Sequence, residues 1–148
     1  MTDILRELLS RLHDDSWIID NNLKILKDIV KINNAHSSSV TNIKFFSYDF
    51  GTLYTSLPHQ DLKEVMACMF EELIEDEIVI YKFNKKFTFD LDSFKTLLNF
   101  LLDSSYINFD NTVYRQNKGI PMGESYSPML ANIYLHYFEN SFKKNSSD

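Results

Sequence analysis

Residues 119–139 read GIPMGESYSPMLANIYLHYFE. The whole sequence has only three Gly and three Pro, and two of each fall in the first ten residues of this stretch. The remaining pair, Gly51 and Pro58, bound the phrase GTLYTSLP. A chain poor in turn-formers has gathered them in two places. In the 119–139 stretch two glycines bracket Ile-Pro-Met. Glycine permits close backbone approach and positive φ, and Pro121 stiffens the loop between them. Ser127-Pro128 then opens a helix through about Phe142, and the free N–H groups at such a start suit a phosphate or a polar substrate edge. The plainer reading is a tight hairpin-to-helix turn. The stretch is not a P-loop, because the Gly-Lys-Ser/Thr element is missing.

The second place is FFSYDFGTLYTSLPH, residues 45–59. Asp49 closes a strongly apolar run. A carboxylate at the end of a buried strand is costly unless it is paired or binds a cation. It reads either as a turn-capping or lysine-paired Asp, or as a ligand for a hard cation such as Mg²⁺, which favours one or two carboxylates with substrate phosphates. Tyr54, the fifth residue after Asp49, taken alone is ordinary core.

The rest of the chain sets the frame. At 148 residues it is one domain or a piece of a larger one. Hydrophobic residues make up 44% and aromatics 14%, enough for a real core. No apolar run reaches the roughly 18 residues of a membrane helix, and MTDILRELLSRLHDD carries charges where a signal peptide needs an apolar core. No membrane partner is expected. One cysteine, Cys68, excludes an internal disulfide and a cysteine-built zinc site. The expected setting is intracellular and reducing, with nucleus and cytoplasm undistinguished. Net charge is −6, against the basic surface of strong nucleic-acid binders. The clusters Lys82, Lys85, Lys86 and Lys143, Lys144 read first as solvated turn and tail lysines.

Periodicity gives an α+β order. TDILRELLSRLHDD reads as a helix capped by Thr2, with Ile4, Leu5, Leu8, Leu9 and Leu12 on one stripe. DNNLKILKDIVKINN reads as a second helix, NAHSSSV as a loop and IKFFSYDF as a buried strand. A helix follows from Pro58. EIVIYKFNKKFTFD reads as a hairpin turning at Asn84-Lys85, and LDSFKTLLNFLLDSS as a helix behind an Asp90 cap. YINFDNTVYRQ reads as a hairpin turning at Asp110-Asn111. In the last helix Met129, Leu130, Ile133, Tyr134, Tyr137 and Phe138 cover so much of the circumference that it should be largely buried.

FFSYDFGTLYTSLPH followed by YRQNKGIPMGESYSPMLANIYLHYFE resembles, in wording and order, the palm of reverse transcriptases, most closely those of Penelope-like retroelements. Telomerase and retroviral enzymes share the pattern more distantly. The resemblance covers roughly Trp17 to Glu139, and Gly-Ile-Pro-Met-Gly…Ser-Pro-x-Leu-Ala-Asn is its specific part. It implies an α+β partial right-hand polymerase palm with connecting fingers helices. Residues 1–40 would be a helical fingers-side segment and residues 41–142 the palm segment of a single partial domain spanning 1–148.

The implied activity is RNA-directed DNA polymerisation. A primer 3′-hydroxyl attacks the α-phosphate of a deoxynucleotide with the help of two Mg²⁺ ions, or Mn²⁺ in their place. Asp49 matches the first catalytic aspartate and metal ligand, and the Phe50 carbonyl a further metal contact. Tyr54 matches the aromatic gate under the sugar. Gly119, Pro121, Met122 and Gly123 match the loop beside the nascent base pair, where some relatives have Gln in place of Met122. Ser127 and Pro128 match the start of the helix that supports the template. Asp49 and the Gly119–Gly123 loop are expected to converge. The implied partners are an RNA or DNA template, a primer and a deoxynucleoside triphosphate, with weak or no nucleic-acid binding by this acidic chain alone.

The sequence departs from the family in three ways. The Tyr-x-Asp-Asp hairpin that supplies the other carboxylates does not follow the Pro128 helix. Asp14-Asp15 lies upstream of the first strand and does not replace it. No basic Lys…Arg-Pro phrase of the fingers precedes Asp49. Glu124 stands where small or uncharged residues are usual, and a carboxylate there repels a triphosphate. The chain is thus expected to be the middle of a palm, inactive alone. It is read as a fragment of an active element, a decayed remnant, or a non-catalytic module retained to bind nucleic acid or protein.

Overall fold

The computed structural model describes residues 1–12, 18, 21–35, 46 and 49–145. They belong to two units, one made of residues 1–16 with 52–148 and the other of residues 17–51. Among the described residues are six helices and two separate two-stranded antiparallel sheets, a mixed α+β architecture.

In the larger unit α1 (Thr2–Arg11) buries Ile4, Leu5 and Leu8, as its stripe predicts. Met1, not Thr2, stands at its N-cap: the Met1 carbonyl already accepts from the Leu5 N–H at 3.0 Å, Thr2 is the first helical residue, and its hydroxyl bonds to that of Ser125 at 3.0 Å. The short α3 (Leu53–Ser56) leads through Pro58 into α4 (His59–Leu73). Pro58 is the N-cap of α4, where its extended backbone and missing N–H cost nothing. α5 (Leu91–Asp103) starts behind Asp90, whose carboxylate accepts from the Ser93 N–H at 2.9 Å. That satisfies one of the orphan donors of a helix start. α6 (Ser127–Asn145) closes the unit.

The core lies where α1, α4, α5 and α6 meet. Leu62, Val65, Met66, Met69 and Phe70 of α4 face Phe94, Leu98 and Leu102 of α5 and Leu130 and Ile133 of α6. Phe70 and Phe94 stack at 4.9 Å between centroids and tie α4 to α5. Each such fully buried side chain stabilises by about 1.5–3 kcal/mol. α6 is less buried than its composition predicts. It packs against α1, α3 and α4, which cover one face, and leaves Phe138 48% and Phe142 64% exposed.

The first hairpin pairs β1 (Ile78–Lys82) with β2 (Lys85–Phe89), Ile78 opposite Phe89 and Lys82 opposite Lys85. Its turn is Phe83-Asn84, both at positive φ, one residue earlier than predicted. The register that turns Ile78, Ile80 and Phe89 toward the core sets the turn, and a one-residue slip would face them to water. The second hairpin pairs β3 (Tyr106–Phe109) with β4 (Thr112–Arg115). It turns at Asp110-Asn111 as predicted, again with both residues at positive φ.

In the smaller unit α2 (Asn22–Ala35) matches the predicted second helix. The Asn21 side-chain oxygen accepts from the Leu23 N–H at 2.8 Å at its start. None of its residues is buried. The strand expected over residues 43–50, and its packing against the helices from Pro58 and Pro128, lie outside the described residues apart from Phe46, Asp49 and Phe50, which belong to no helix or strand.

Candidate functional site

The Gly119–Gly123 loop is joined to the segment around Tyr54. The Ile120 N–H donates to the Tyr54 carbonyl at 2.6 Å, and the Gly119 N–H to the Leu57 carbonyl at 2.7 Å. Pro58 and Lys118 form an antiparallel bridge beside them. His59 donates from Nε2 to the Gly119 carbonyl at 2.7 Å. Gly119 is buried at φ +80°, and a Cβ there would lie 2.5 Å from the Tyr54 carbonyl oxygen and 2.7 Å from Thr55 Cα. Only glycine fits this position, on both conformational and steric grounds.

From there the loop runs outward. Ile120 is buried, Pro121 half-buried, and Met122 projects with 73% of its surface exposed. Gly123 turns the chain at φ +96° in open space. Ser127, itself buried, returns its hydroxyl to the Pro121 carbonyl at 2.5 Å, clasping the loop to the first turn of α6. The Ser127 N–H donates to the Glu124 carbonyl at 3.1 Å, and Pro128 is exposed. Tyr54 is half-buried and packs on the core.

Ile120, Pro121, Met122 and Glu124 form one wall of a cleft of about 850 Å³, with Thr55 beside them. Phe100 of α5 and Tyr106, Ile107 and Asn108 of β3 also line it. The volume lies within the range of small-molecule sites, about 300–1,000 Å³. Tyr126 also lines it. Burial pushes the Tyr126 phenol up, the nearby Glu124 carboxylate pushes the same way, and a hydrogen bond with Ser105 opposes both. Glu124 adds a negative group to the lining of the cleft, which disfavours an unescorted polyphosphate.

Asp49 and Phe50 belong to the smaller unit, and both are exposed. The Asp49 carboxylate and Phe50 carbonyl are hard oxygen donors of the kind Mg²⁺ takes. Among the described residues no three His, Cys, Asp or Glu side chains lie together as a metal site would require. One carboxylate and one carbonyl do not make a two-ion centre, so the described donor set does not fit the metal pair that the resemblance implies.

Neither His59 nor the bases near it stand out in the sequence. Lys63, Arg115 and Lys118 line a groove with Pro58, His59, Gln60, Asp103 and Asn117, beside the Pro58–Lys118 bridge. No run of basic residues marks them, since they come from α4, β4 and the following loop. The lysine run that the sequence does show is partly neutralised: Lys82 pairs with Asp3 at 3.0 Å, and Lys86 lies 3.9 Å from Glu77. No helix among the described residues is long and apolar enough to cross a membrane. In comparisons with protein-family models, curated proteins and solved structures nothing matches this chain, so its functional reading rests on its own residues.

Proposed function

We propose that this chain is part of a reverse-transcriptase palm, an RNA-directed DNA polymerase segment that shapes the pocket for the incoming deoxynucleotide. The observation that carries the reading is the backbone junction between Tyr54, Leu57 and the Gly119–Ile120 pair. These belong to the two phrases that the resemblance pairs, and they are far apart in sequence. Glycine is obligatory at their contact, which explains why a glycine-poor chain keeps one there. The cleft beside the loop is large enough for a base and sugar. In this reading Met122 and Gly123 face the nascent base pair, Tyr54 limits the space at the sugar, and the Ser127 clasp holds the loop in position. Asp49 is one carboxylate of the catalytic set, and a Tyr-x-Asp-Asp element supplies the others.

The test is a chimera in which residues 45–139 replace the matching segment of an active reverse transcriptase. Primer extension on an RNA template, abolished by Asp49→Ala, is expected; a folded chimera that extends nothing sinks the reading. In the same chimera Tyr54→Ala should relax selection against ribonucleotides while Tyr54→Phe keeps it, because the ring supplies the steric penalty. An unchanged ribo-to-deoxy ratio in a folded Tyr54→Ala chimera rules out the gate. The 148-residue chain alone should give no detectable extension with Mg²⁺ or Mn²⁺, since one aspartate cannot hold two divalent ions against their repulsion.

A second reading is a non-catalytic interaction module derived from such a palm. The exposed aromatic side chains of Phe100, Phe109, Phe138 and Phe142 are the observation that separates the two, because an interrupted palm leaves faces that its other parts would cover. In light scattering at micromolar concentration, a clean monomer that binds no hydrophobic dye favours the self-sufficient module, and self-association or dye binding favours the truncated palm.

A further inference from the structure

The turn of the first hairpin carries a side chain that folding does not explain. Phe83 sits at φ 50°, an outlier for a bulky residue, yet its surface is 85% exposed. Such left-handed turn positions ordinarily hold Gly, Asn or Asp, as Asp110 and Asn111 do in the second hairpin. Here the backbone is strained and a large apolar ring stands in water, and neither serves the core. Strain of this kind persists where it serves a contact. Tyr81, two residues earlier, is 77% exposed. Of the three lysines around the turn, Lys82 pairs with Asp3 and Lys86 lies near Glu77. Lys85 pairs with no carboxylate among the described residues. The tip is thus an aromatic knob with an uncompensated cation beside it.

The same unit holds a recess that matches it. The cleft of about 850 Å³ is lined by Phe100, Tyr106, Ile107 and Met122, and Glu124 is the only charged side chain in its lining. It has room for an aromatic ring, and its carboxylate is opposite in sign to Lys85. Phe83 is not part of the lining, so the chain's own knob does not fill the cleft. Knob and recess lie at one end of α1, since Lys82 pairs with Asp3 in its first turn and Met1 lines the cleft. Two copies can therefore exchange knobs about a two-fold axis, which closes the assembly as a dimer and stops it propagating. We propose that a second copy of this chain docks here, each Phe83 entering the other's cleft with Lys85 against Glu124. Elsewhere the −6 charge of each chain opposes association. A Phe buries about 150–250 Å², so two insertions stay well below the roughly 1,200 Å² of a standard interface, and the dimer is weak. The inference needs only the knob and the cleft and does not rest on the polymerase reading.

The test is sedimentation equilibrium of the full chain from about 10 μM to about 1 mM, where a reversible monomer–dimer equilibrium is expected, weakened by salt as a contact between opposite charges requires. Phe83→Gly relieves the turn, so it should stay folded by circular dichroism and be monomeric over the same range. Lys85→Glu should weaken the dimer roughly threefold or more, and Glu124→Lys should restore it in that background. The fit of knob to recess is read in ¹⁵N spectra. Labelled Phe83→Gly keeps a recess and no knob; unlabelled Ile107→Lys, changed on an exposed strand, keeps a knob and places a cation in its own recess. Adding the second to the first should shift the amides of residues 105–108 and 122–126, and adding unlabelled Phe83→Gly instead should shift none of them. The proposal is overturned by a parent chain that stays monomeric, by Phe83→Gly dimerising like the parent, or by shifts that leave the cleft residues unmoved. Association that survives in Phe83→Gly belongs to the other exposed aromatic side chains and is what separates the truncated palm from the self-sufficient module. The chimera decides the polymerase reading whichever way the dimer falls.

Discussion

The hairpins β1–β2 and β3–β4 share a two-residue turn with both central residues at positive φ, yet different forces hold them. β1 sends Ile78 into the core, and Ile80 and Phe89 pack on its margin. Every residue of β3 and β4 is exposed. The second hairpin is fixed at its base instead. The Gln116 N–H donates to the Ser105 carbonyl at 2.8 Å, Arg115 reaches Asp103, and the chain then enters the Gly119–Ile120 junction with Tyr54 and Leu57. An isolated two-stranded hairpin is marginal in water, so each needs outside support. The first obtains it from side-chain burial and the second from backbone hydrogen bonds. The difference matters for function. A hairpin whose faces are not consumed by packing is free to line a cleft on one side and to present Arg115 to a groove on the other.

If the second hairpin depends on its junction, breaking the junction should have the largest effect. Gly119→Ala places a Cβ against the backbone of Tyr54 and Thr55 at a φ that disfavours alanine, and should cost roughly 3 kcal/mol or more in urea unfolding. Amide exchange in β3 and β4 should quicken more than in β1 and β2. Equal loosening of both hairpins would break the contrast. Next comes the side-chain comparison. Ile78→Ala should cost about 2–5 kcal/mol, whereas Ile107→Ala, on an exposed strand, should stay within about 0.5 kcal/mol. Similar losses at both positions would mean that β3 is held by its side chains after all.

A smaller effect is expected where the first hairpin hands over to α5. The Ser93 side chain and backbone N–H hold the Asp90 carboxyl below its usual value. A lowered folded-state pKa stabilises above the unfolded pKa, and that stability is lost as pH falls through the folded one. Asp90→Ala should therefore lower Tm modestly at pH 7, and the gap to the parent should close below the ordinary carboxylate range. A pH-independent gap would show that the cap acts by shape and not through its charge. The smallest effect belongs to the turns. Phe83 sits at φ 50°, a conformation costly for a bulky side chain, while Asn111 at φ 59° tolerates it. Phe83→Gly should raise stability by a few tenths of a kcal/mol, on the order expected when a left-handed position is relieved against the added chain entropy of glycine. Asn111→Gly should change it less.

Much of the fold was legible because short-range chemistry carries it. Asp90 capping α5, Pro58 opening α4 and Asp110-Asn111 turning the second hairpin each follow from backbone preferences of a few neighbouring residues. The stripe of α1 follows from helical period alone. The two glycines of the 119–123 loop stood out because such residues are otherwise scarce in this chain.

Tertiary structure decided the rest, through choices that no local window contains. The first hairpin turns a residue early because Ile78 must point inward. The aromatic ring of residues around α6 does not become core, because neighbouring helices cover only one of its faces. Gly119 is required by the Tyr54 and Thr55 backbone, a contact between distant segments. The basic groove exists only because Lys63, Arg115 and Lys118, unremarkable in sequence, are brought to one wall around Asp103. Caps and turns are set by neighbours along the chain; clefts and charge clusters are set by which segments pack together, and packing is a property of the whole core.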